Sequence, residues 1–235
     1  MFHNFDLNQL VVMIVPLLMA VTIHEVAHGY VAFRLGDNTA KLAGRLTLNP
    51  LKHLDITGSL ILPLMLKIMG SPVIFGYAKP VPVNFYNLRN HRKGIVYVSA
   101  AGISANLVMV MISGLLFRGL LRSGPIWYDT FLSPILMDLF LMLGFSVLIN
   151  TVLAVFNLLP IPPLDGSRIL ATFLPMRIRM HYARLERLGI IVLIFLFFIG
   201  GNSLFRAISI IMGPILRLAL GPEGIAYFLH NTGDI

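Results

Sequence analysis

Three ionisable side chains, His24, Glu25 and His28, fall within five residues of an otherwise apolar stretch. Residues four apart lie on the same face of an α-helix, so the imidazoles of His24 and His28 can bind one metal ion together. Glu25 is offset around the helix, where it can take a proton from an attacking water without occupying a ligand position. Ionisable groups are costly to hold in lipid, which favours a metal site over polar residues that only form hydrogen bonds inside a bundle.

A third metal ligand has to come from another part of the chain. Cysteine is absent, so only His, Asp or Glu can supply it. Asp165 is the best candidate, because residues 157–164 contain three prolines that end or unwind the preceding apolar stretch beside this carboxylate. The alternative is that Asp165 caps a helix expected around residues 168–174. Spacing alone gives the two interpretations equal weight.

The elements that position these residues must lie in a membrane. Hydrophobic residues make up 57% of the 235-residue chain and charged residues 12%, roughly half the charged share of a typical soluble domain. Too few charges are present to cover the surface in water, so lipid must be the solvent for much of the chain. The net charge of +8 is explained by basic loops beside apolar spans, and no nucleic-acid partner is expected.

Four apolar stretches are long enough to cross a bilayer, for which about 20 residues are needed. Three of them precede the proline-rich segment: residues 10–33, 95–116 and 131–159. The fourth, residues 185–199, is followed at once by a further apolar run at 204–220. Gly200-Gly201-Asn202 between them predicts a tight turn, so residues 185–220 are expected to form a helical hairpin.

Two other segments complete the predicted fold. The apolar run 58–70 contains Pro63 and Lys67 and is short for a span, so a re-entrant or partly buried helix is expected. Residues 76–84 alternate small, apolar and proline residues, which suits an irregular β-like edge. The sequence therefore predicts an all-α polytopic membrane protein with about five transmembrane helices, a short re-entrant helix and a small β-like segment.

The distribution of basic residues predicts the orientation in the membrane. Residues 34–52 and 79–93 contain four Lys or Arg each, and residues 168–187 contain five Arg. If the short apolar run does not cross, all three segments lie on one side, and the positive-inside rule makes that side cytoplasmic. If it crosses, the basic excess is split between both faces. With the first helix ending near Arg34, the two histidines lie about 9 to 15 Å below its cytoplasmic end.

Two segments resemble, in order and separation, the metal motifs of the site-2 protease family of intramembrane metalloproteases, peptidase family M50. They are His24-Glu25-Val26-Ala27-His28-Gly29-Tyr30 and Leu164-Asp165-Gly166. The likeness covers about residues 11–174 and is greatest to the short bacterial type without a PDZ or CBS domain. The resemblance implies that His24, His28 and Asp165 bind one zinc ion per chain and that Glu25 is the catalytic glutamate. It also favours the ligand interpretation of Asp165 over the capping one.

Other residues extend the resemblance or depart from it. Asn157 matches a family asparagine that steadies the substrate or the oxyanion, and the alternative is an amide that ties down a kinked helix. The family often has Gly-Pro-x-x-Asn after the motif helix, whereas this chain has Gly102-Ile103-Ser104-Ala105-Asn106, without the proline. Gly102 and Asn106 still share one helix face, so close helix packing remains possible. His53 is expected to be a solvated loop residue, with a place near the metal site as the alternative.

The expected function is zinc-dependent hydrolysis of peptide bonds within or near transmembrane segments of membrane proteins. Residues 1–235 would form one transmembrane protease domain, with its core at 10–174, in a multi-pass protein of the cell membrane whose active site lies nearer the cytoplasm. Its partners would be a transmembrane protein substrate and the lipid bilayer. Residues 76–84 offer an edge on which an unwound substrate could pair, and a plain loop is the equal alternative. A membrane metal or ion transporter is the rival function, although it gives no reason for Glu25.

Overall fold

The computed structural model describes residues 7–68, 76–124 and 130–232, and the regular secondary structure in these ranges is helical throughout. Single turns of other helix types, at Pro50–Lys52, Ile56–Ile61 and Phe85–Asn87, lie between the α-helices. The prediction of an all-α fold is confirmed. The α-helices in chain order are α1 (Leu7–Arg34), α2 (Thr39–Leu42), α3 (Leu62–Ile68), α4 (His91–Arg122), α5 (Ser133–Leu158), α6 (Asp165–Ala171), α7 (Met176–Arg187) and α8 (Gly189–Thr232).

Four helical segments in the described ranges are long and apolar enough to cross a membrane. The first three match the predicted spans closely, because hydropathy and the backbone's need for internal hydrogen bonds in lipid select the same residues. α4 begins where the Asn90 side chain accepts the N–H of Lys93 as a cap, and α5 ends just before Pro160. The four segments are Leu10–Arg34, His91–Arg122, Ser133–Leu158 and Ser203–Thr232.

The predicted C-terminal hairpin at 185–220 is wrong. Residues 200–202 are helical, and α8 runs as one helix from Gly189 to Thr232. Glycine and asparagine favour a turn where water can satisfy exposed backbone groups, but in an apolar segment a continuous helix satisfies those groups internally. Glycine is also common in membrane helices. The sequence predicts about five spans, whereas the described part of the chain contains four candidates.

A side chain of a neighbouring helix replaces a hydrogen bond that a proline late in α8 cannot form. Gly221 has a φ of 76°, which glycine adopts readily, and the next residue, Pro222, has no N–H to donate to the carbonyl of Leu218. Arg118 of α4 donates from Nη1 to that carbonyl over 3.2 Å. A side chain thus satisfies the acceptor that the proline leaves free.

The aromatic core lies where α4, α5 and α8 meet, away from the motif histidines. Phe117 stacks on Phe140 with ring centroids 4.2 Å apart, and Phe228 meets Phe117 edge-on at 6.5 Å. Val12 of α1 belongs to the same buried cluster. Because Val12 precedes His24 by twelve residues, this cluster lies about 18 Å along α1 from that histidine. The apolar core and the polar cluster therefore occupy different levels of the bundle.

The short apolar run forms one wide helical turn at Ile56–Ile61 followed by α3. This segment, Ile56–Ile68, is about 20 Å long if every residue rises 1.5 Å, which is less than the roughly 30 Å hydrocarbon thickness of a bilayer. Its insertion into the membrane as a re-entrant helix stays a prediction.

Residues 76–84, called the strap below, form no strand, so the predicted β-like segment is not confirmed. The N–H of Tyr77 donates to the carbonyl of Gly58, in the turn Ile56–Ile61, over 3.1 Å, and the N–H of Lys79 donates to the carbonyl of His53 over 2.9 Å. Pro80 and Pro82 have no N–H, which prevents a regular ladder of hydrogen bonds. The strap is therefore an irregular segment that is hydrogen-bonded to the part of the chain just before α3.

Asp37, three residues after α1, fixes the far end of the strap to that helix. Its carboxylate accepts the backbone N–H of Asn84 at 2.8 Å and the side-chain amide of Asn87 at 2.9 Å. Thr39 donates its backbone N–H and its hydroxyl to the same group. Burial raises the pKa of the Asp37 carboxyl, but these donors outweigh burial and hold its pKa below the ordinary value of 3.8.

Replacing Asp37 with asparagine is expected to lower the free energy of unfolding at neutral pH by about 1–2 kcal/mol, because charge-assisted hydrogen bonds are lost. A lowered folded-state pKa contributes stability above the unfolded-state pKa, and that contribution disappears as the pH falls through the folded-state pKa. The difference between wild type and Asp37→Asn should therefore shrink below about pH 4. Thermal unfolding in detergent at a series of pH values measures it. A difference that stays constant over that range would contradict this account.

Candidate metal centre

α1 carries His24 and His28 one turn apart, and both side chains are buried. Their Nε2 atoms lie 3.0 Å apart, and the ring planes are nearly perpendicular, at 86°. The (i, i+4) spacing accounts for this meeting, because side chains four apart lie above one another on a helix. The two rings present their Nε2 atoms to a common point.

Asp165, the first residue of α6, reaches the same point from a distant part of the chain. Its Oδ2 lies 3.3 Å from His24 Nε2 and 3.1 Å from His28 Nε2. The capping alternative is wrong, since Leu164 holds the N-cap position and no side-chain cap hydrogen bond forms there. The structure therefore brings together the three residues that the sequence singled out as ligands.

This cluster fits a metal cation by its chemistry. Asp165 Oδ2 is buried, and no described residue satisfies it with a hydrogen bond. The ligand atoms all lie within 4.8 Å of one another, and no other cluster of this kind occurs in the described ranges. Two imidazoles and a carboxylate form a ligand set typical of catalytic zinc sites, which keep a fourth position open.

Hydrogen bonds to the other ring nitrogens orient both imidazoles. His24 Nδ1 lies 2.5 Å from Asn106 Oδ1, and His28 Nδ1 lies 2.7 Å from the carbonyl oxygen of Val98. Oxygens of this kind only accept, so each Nδ1 carries the proton and donates it. Each Nε2 then keeps its lone pair for a cation, the arrangement found in metal-binding histidines.

Gly102 allows α4 to lie directly against both rings. A Cβ atom at this position would lie 2.5 Å from His28 Nε2 and 2.6 Å from His24 Cε1. Real Cβ atoms do not approach other atoms so closely, so any larger residue would displace the rings. The close helix packing expected at Gly102 is therefore present without a proline after it.

Replacing Gly102 with alanine is expected to weaken zinc binding about 10–100-fold, the range seen when groups supporting metal ligands are changed. Alanine is a better helix former than glycine by about 1 kcal/mol, so the helix itself should not suffer. Gly119→Ala on the same helix is the matched control, because nothing lies within 4 Å of a Cβ there. Competition with a metal-binding dye measures the affinity. Equal zinc affinity of the two variants would show that the contact does not set the ligand geometry.

Glu25 lies on the side of α1 that the strap covers. Its Oε2 accepts the backbone N–H of Val81 over 2.7 Å. One turn later, a Cβ on Gly29 would lie 2.7 Å from Val81 Cγ1, so the strap is packed closely on this face of the helix. The hydrogen bond fixes one carboxylate oxygen and leaves Oε1 as the oxygen that can meet a water or a peptide.

Comparison with known sequences gives this site its context. The profile of Peptidase family M50 matches residues 123–200, a stretch that contains Asp165. The chain is 35% identical over 228 residues to a protein of Bacillus subtilis (strain 168) named "Putative zinc metalloprotease YwhC", an alignment that covers 92% of this chain and 99% of that protein. The chain belongs to peptidase family M50.

Other relatives come from mycobacteria, and each is named "Putative zinc metalloprotease Rip2". The chain is 32% identical over 179 residues to the protein of Mycolicibacterium smegmatis (strain ATCC 700084 / mc(2)155). That alignment covers 76% of this chain and 63% of that protein. The chain is 29% identical over 187 residues to the protein of Mycobacterium tuberculosis (strain ATCC 25618 / H37Rv). That alignment covers 80% of this chain and 66% of that protein. No solved structure matches the chain significantly.

Two further residues named from the sequence of this M50 protein lie outside the ligand cluster. Asn157, in the last turn of α5, donates its Nδ2 to the carbonyl of Leu153 in its own helix over 3.0 Å. His53 is buried, and its Nε2 lies 2.9 Å from the carbonyl oxygen of Thr47. The expectation of a solvated His53 is therefore wrong, because its side chain is only 2% exposed.

Several residues that support the site were not identified from the sequence. Asn150 and Ser146 of α5 are buried and continue the hydrogen bonds that begin at His24. A polar amide inside an apolar span was the available signal for Asn150, since such groups are costly in lipid. The backbone N–H of Val81 left no signal, because any residue except proline carries the same group.

Proposed function

We propose that this M50 protein is an intramembrane zinc metalloprotease that hydrolyses peptide bonds within or near transmembrane segments of membrane proteins. The observation that carries the proposal is the convergence of His24, His28 and Asp165 at one buried point among apolar helices. Glu25, next to one of these histidines, supplies the proton-transfer group that a peptidase needs and that metal binding alone does not. The names of the three relatives, all zinc metalloproteases by description, agree with it.

The ligands proposed for one zinc ion per chain are His24 Nε2, His28 Nε2 and a carboxylate oxygen of Asp165. When bound, zinc supplies Lewis-acid chemistry, which lowers the pKa of a water and polarises a peptide carbonyl. The protein's own contribution is orientation, because both Nδ1 atoms are held by hydrogen bonds and α4 packs against the rings at Gly102. The ligands are therefore fixed before a substrate arrives.

Glu25 is proposed to act as the general base and then as the general acid. Its Oε1 takes a proton from the attacking water and delivers it to the nitrogen of the departing amine. The Val81 N–H holds Oε2 and so keeps the carboxylate in one orientation through both transfers. Asn157 is proposed to steady the substrate or the oxyanion, for which its amide would have to leave the carbonyl of Leu153.

The membrane arrangement is part of the same proposal. The whole chain acts as one protease domain in a multi-pass protein of the cell membrane, with the metal site nearer the cytoplasmic side. The basic segments 34–52, 79–93 and 168–187 support this orientation through the positive-inside rule. A helical substrate hides its amides in its own hydrogen bonds, so it has to unwind before it reaches Glu25. The strap lies beside Glu25, and pairing of a substrate with it stays a prediction.

Comparative membrane proteomics tests the proposed function. Membranes are prepared from cells that make the wild type, Glu25→Gln or a control, His181→Gln, which changes an exposed histidine on α7. We expect fragments with new ends inside or beside an apolar segment in the wild type and the control. In Glu25→Gln cells the corresponding intact membrane proteins should accumulate.

Two outcomes would contradict the proposal. The first is the same set of fragment ends in all three membranes, which would mean that Glu25 takes part in no proteolysis. The second comes from purified protein in vesicles loaded with a zinc-sensitive dye. Zinc flux that survives Glu25→Gln, without proteolysis by the wild type, would indicate a transporter.

A further inference from the structure

The two ligand imidazoles are oriented in different ways. His28 Nδ1 donates to the backbone carbonyl of Val98, a partner that no side-chain substitution removes. His24 Nδ1 donates to a side chain, the Oδ1 of Asn106. The orientation of His24 therefore depends on how the Asn106 amide is itself held.

The amide of Asn106 is held through its nitrogen. Nδ2 donates to Asn150 Oδ1 over 2.7 Å and to the Ala20 carbonyl over 3.3 Å. Both partners are acceptors, so the nitrogen must lie on their side and Oδ1 must face His24. Asn106 is completely buried, and a reversed amide would leave oxygens facing oxygens without water to satisfy them.

Asn150 is fixed in its turn by a backbone carbonyl. Its Nδ2 donates to the carbonyl of Ser146 over 2.8 Å and also lies 3.3 Å from the hydroxyl oxygen of that residue. Because a carbonyl only accepts, the Asn150 amide has one favourable orientation, with its oxygen towards Asn106. The side chain is fully buried. Each group thus donates a hydrogen bond to the next, from His24 Nδ1 through the Asn106 and Asn150 amides to a backbone carbonyl of α5.

We propose that Asn150 is a positioning residue of the metal site, which acts on His24 through Asn106. Asn150 touches none of the three ligands, so its effect is to select one orientation of the Asn106 amide. That orientation places the proton of His24 on Nδ1 and leaves Nε2 for the cation. This inference rests on the zinc site of the proposed function and adds to it a residue on α5, a helix that supplies no ligand.

The test replaces Asn150 with leucine, whose side chain branches at the same atom and forms no hydrogen bond. The Asn106 amide then loses its partner on α5, and we expect the zinc dissociation constant to rise about 10–100-fold. The visible absorption bands of the cobalt-substituted protein should shift, because they report the geometry of the ligands. Thr151→Val is the matched control, since Thr151 is equally buried and its hydroxyl bonds only to the carbonyl of Val147 in its own helix.

The outcomes distinguish this inference from the proposed function. Wild-type zinc affinity and cobalt spectrum in Asn150→Leu would overturn the inference alone, and so would an equal loss of affinity in Thr151→Val. If the wild type itself bound no zinc, the proposed function would fail first. Should Asn150→Leu not fold, Asn150→Ser takes its place, because serine keeps a hydroxyl on α5 but is too short to replace the hydrogen bond to the Asn106 amide. A rise of the zinc dissociation constant of about 10-fold or more in Asn150→Ser supports the inference, and an unchanged constant overturns it.

Discussion

Glutamine in place of Glu25 is expected to reduce peptide-bond hydrolysis roughly 10²–10⁴-fold, the usual contribution of a general base, while zinc stays bound. Glutamine has the same size, and its carbonyl oxygen can still accept the Val81 N–H, so the strap should keep its place. The neutral amide cannot take a proton from water. Purified protein in nanodiscs, assayed with a substrate identified by the proteomic comparison, gives the rate, and elemental mass spectrometry gives the zinc content.

Glu25→Ala provides the matched comparison, because alanine removes both the base and the acceptor for Val81. If Glu25→Ala and Glu25→Gln are equally inactive and both hold zinc, proton transfer accounts for the loss. If only Glu25→Gln keeps zinc, the contact with the strap also supports the metal site. Hydrolysis by Glu25→Gln within tenfold of the wild-type rate would show that another group is the base.

The membrane helices could be predicted where lipid leaves the backbone no alternative. α1, α4 and α5 follow from long apolar stretches, since an unsatisfied backbone group in lipid is more costly than any propensity difference. The turn expected at 200–202 failed for the same reason, because rules for glycine and asparagine are derived where water is present. The prediction of a β-like segment at the strap failed for a different reason. The prolines indicate that no regular ladder of hydrogen bonds can form, but the sequence does not show which part of the chain the strap contacts.

Helical spacing predicts that His24 and His28 lie together, whereas spacing alone left Asp165 open and the resemblance to a family motif favoured it as the third member of the cluster. Helical periodicity alone brings His24 and His28 together. The contacts that hold them are not local: Asn106 and Gly102 meet the rings only after α4 packs against α1. A sequence shows the amide and the glycine but not their partners, so their roles become visible only in three dimensions.

Replacing Asp165 with asparagine is expected to weaken zinc binding more than about 100-fold, beyond the range for supporting groups, because a charged ligand is lost. Asparagine keeps the size of the side chain, and Asp165 forms no cap bond whose loss could unwind α6. At a zinc concentration of 100 times the wild-type dissociation constant, zinc should raise the wild-type unfolding free energy by about 2.7 kcal/mol. A 100-fold weaker variant should gain only about 0.4 kcal/mol.

Asp37→Asn separates this effect from the general cost of removing a buried carboxylate. Both carboxyl groups are buried, but only Asp165 lies among the imidazoles. We expect Asp37→Asn to be less stable without zinc and to gain the full wild-type increment when zinc is added. Asp165→Asn should lose that increment. If both variants responded to zinc alike, Asp165 would not be a ligand, and the two histidines would need a different third partner.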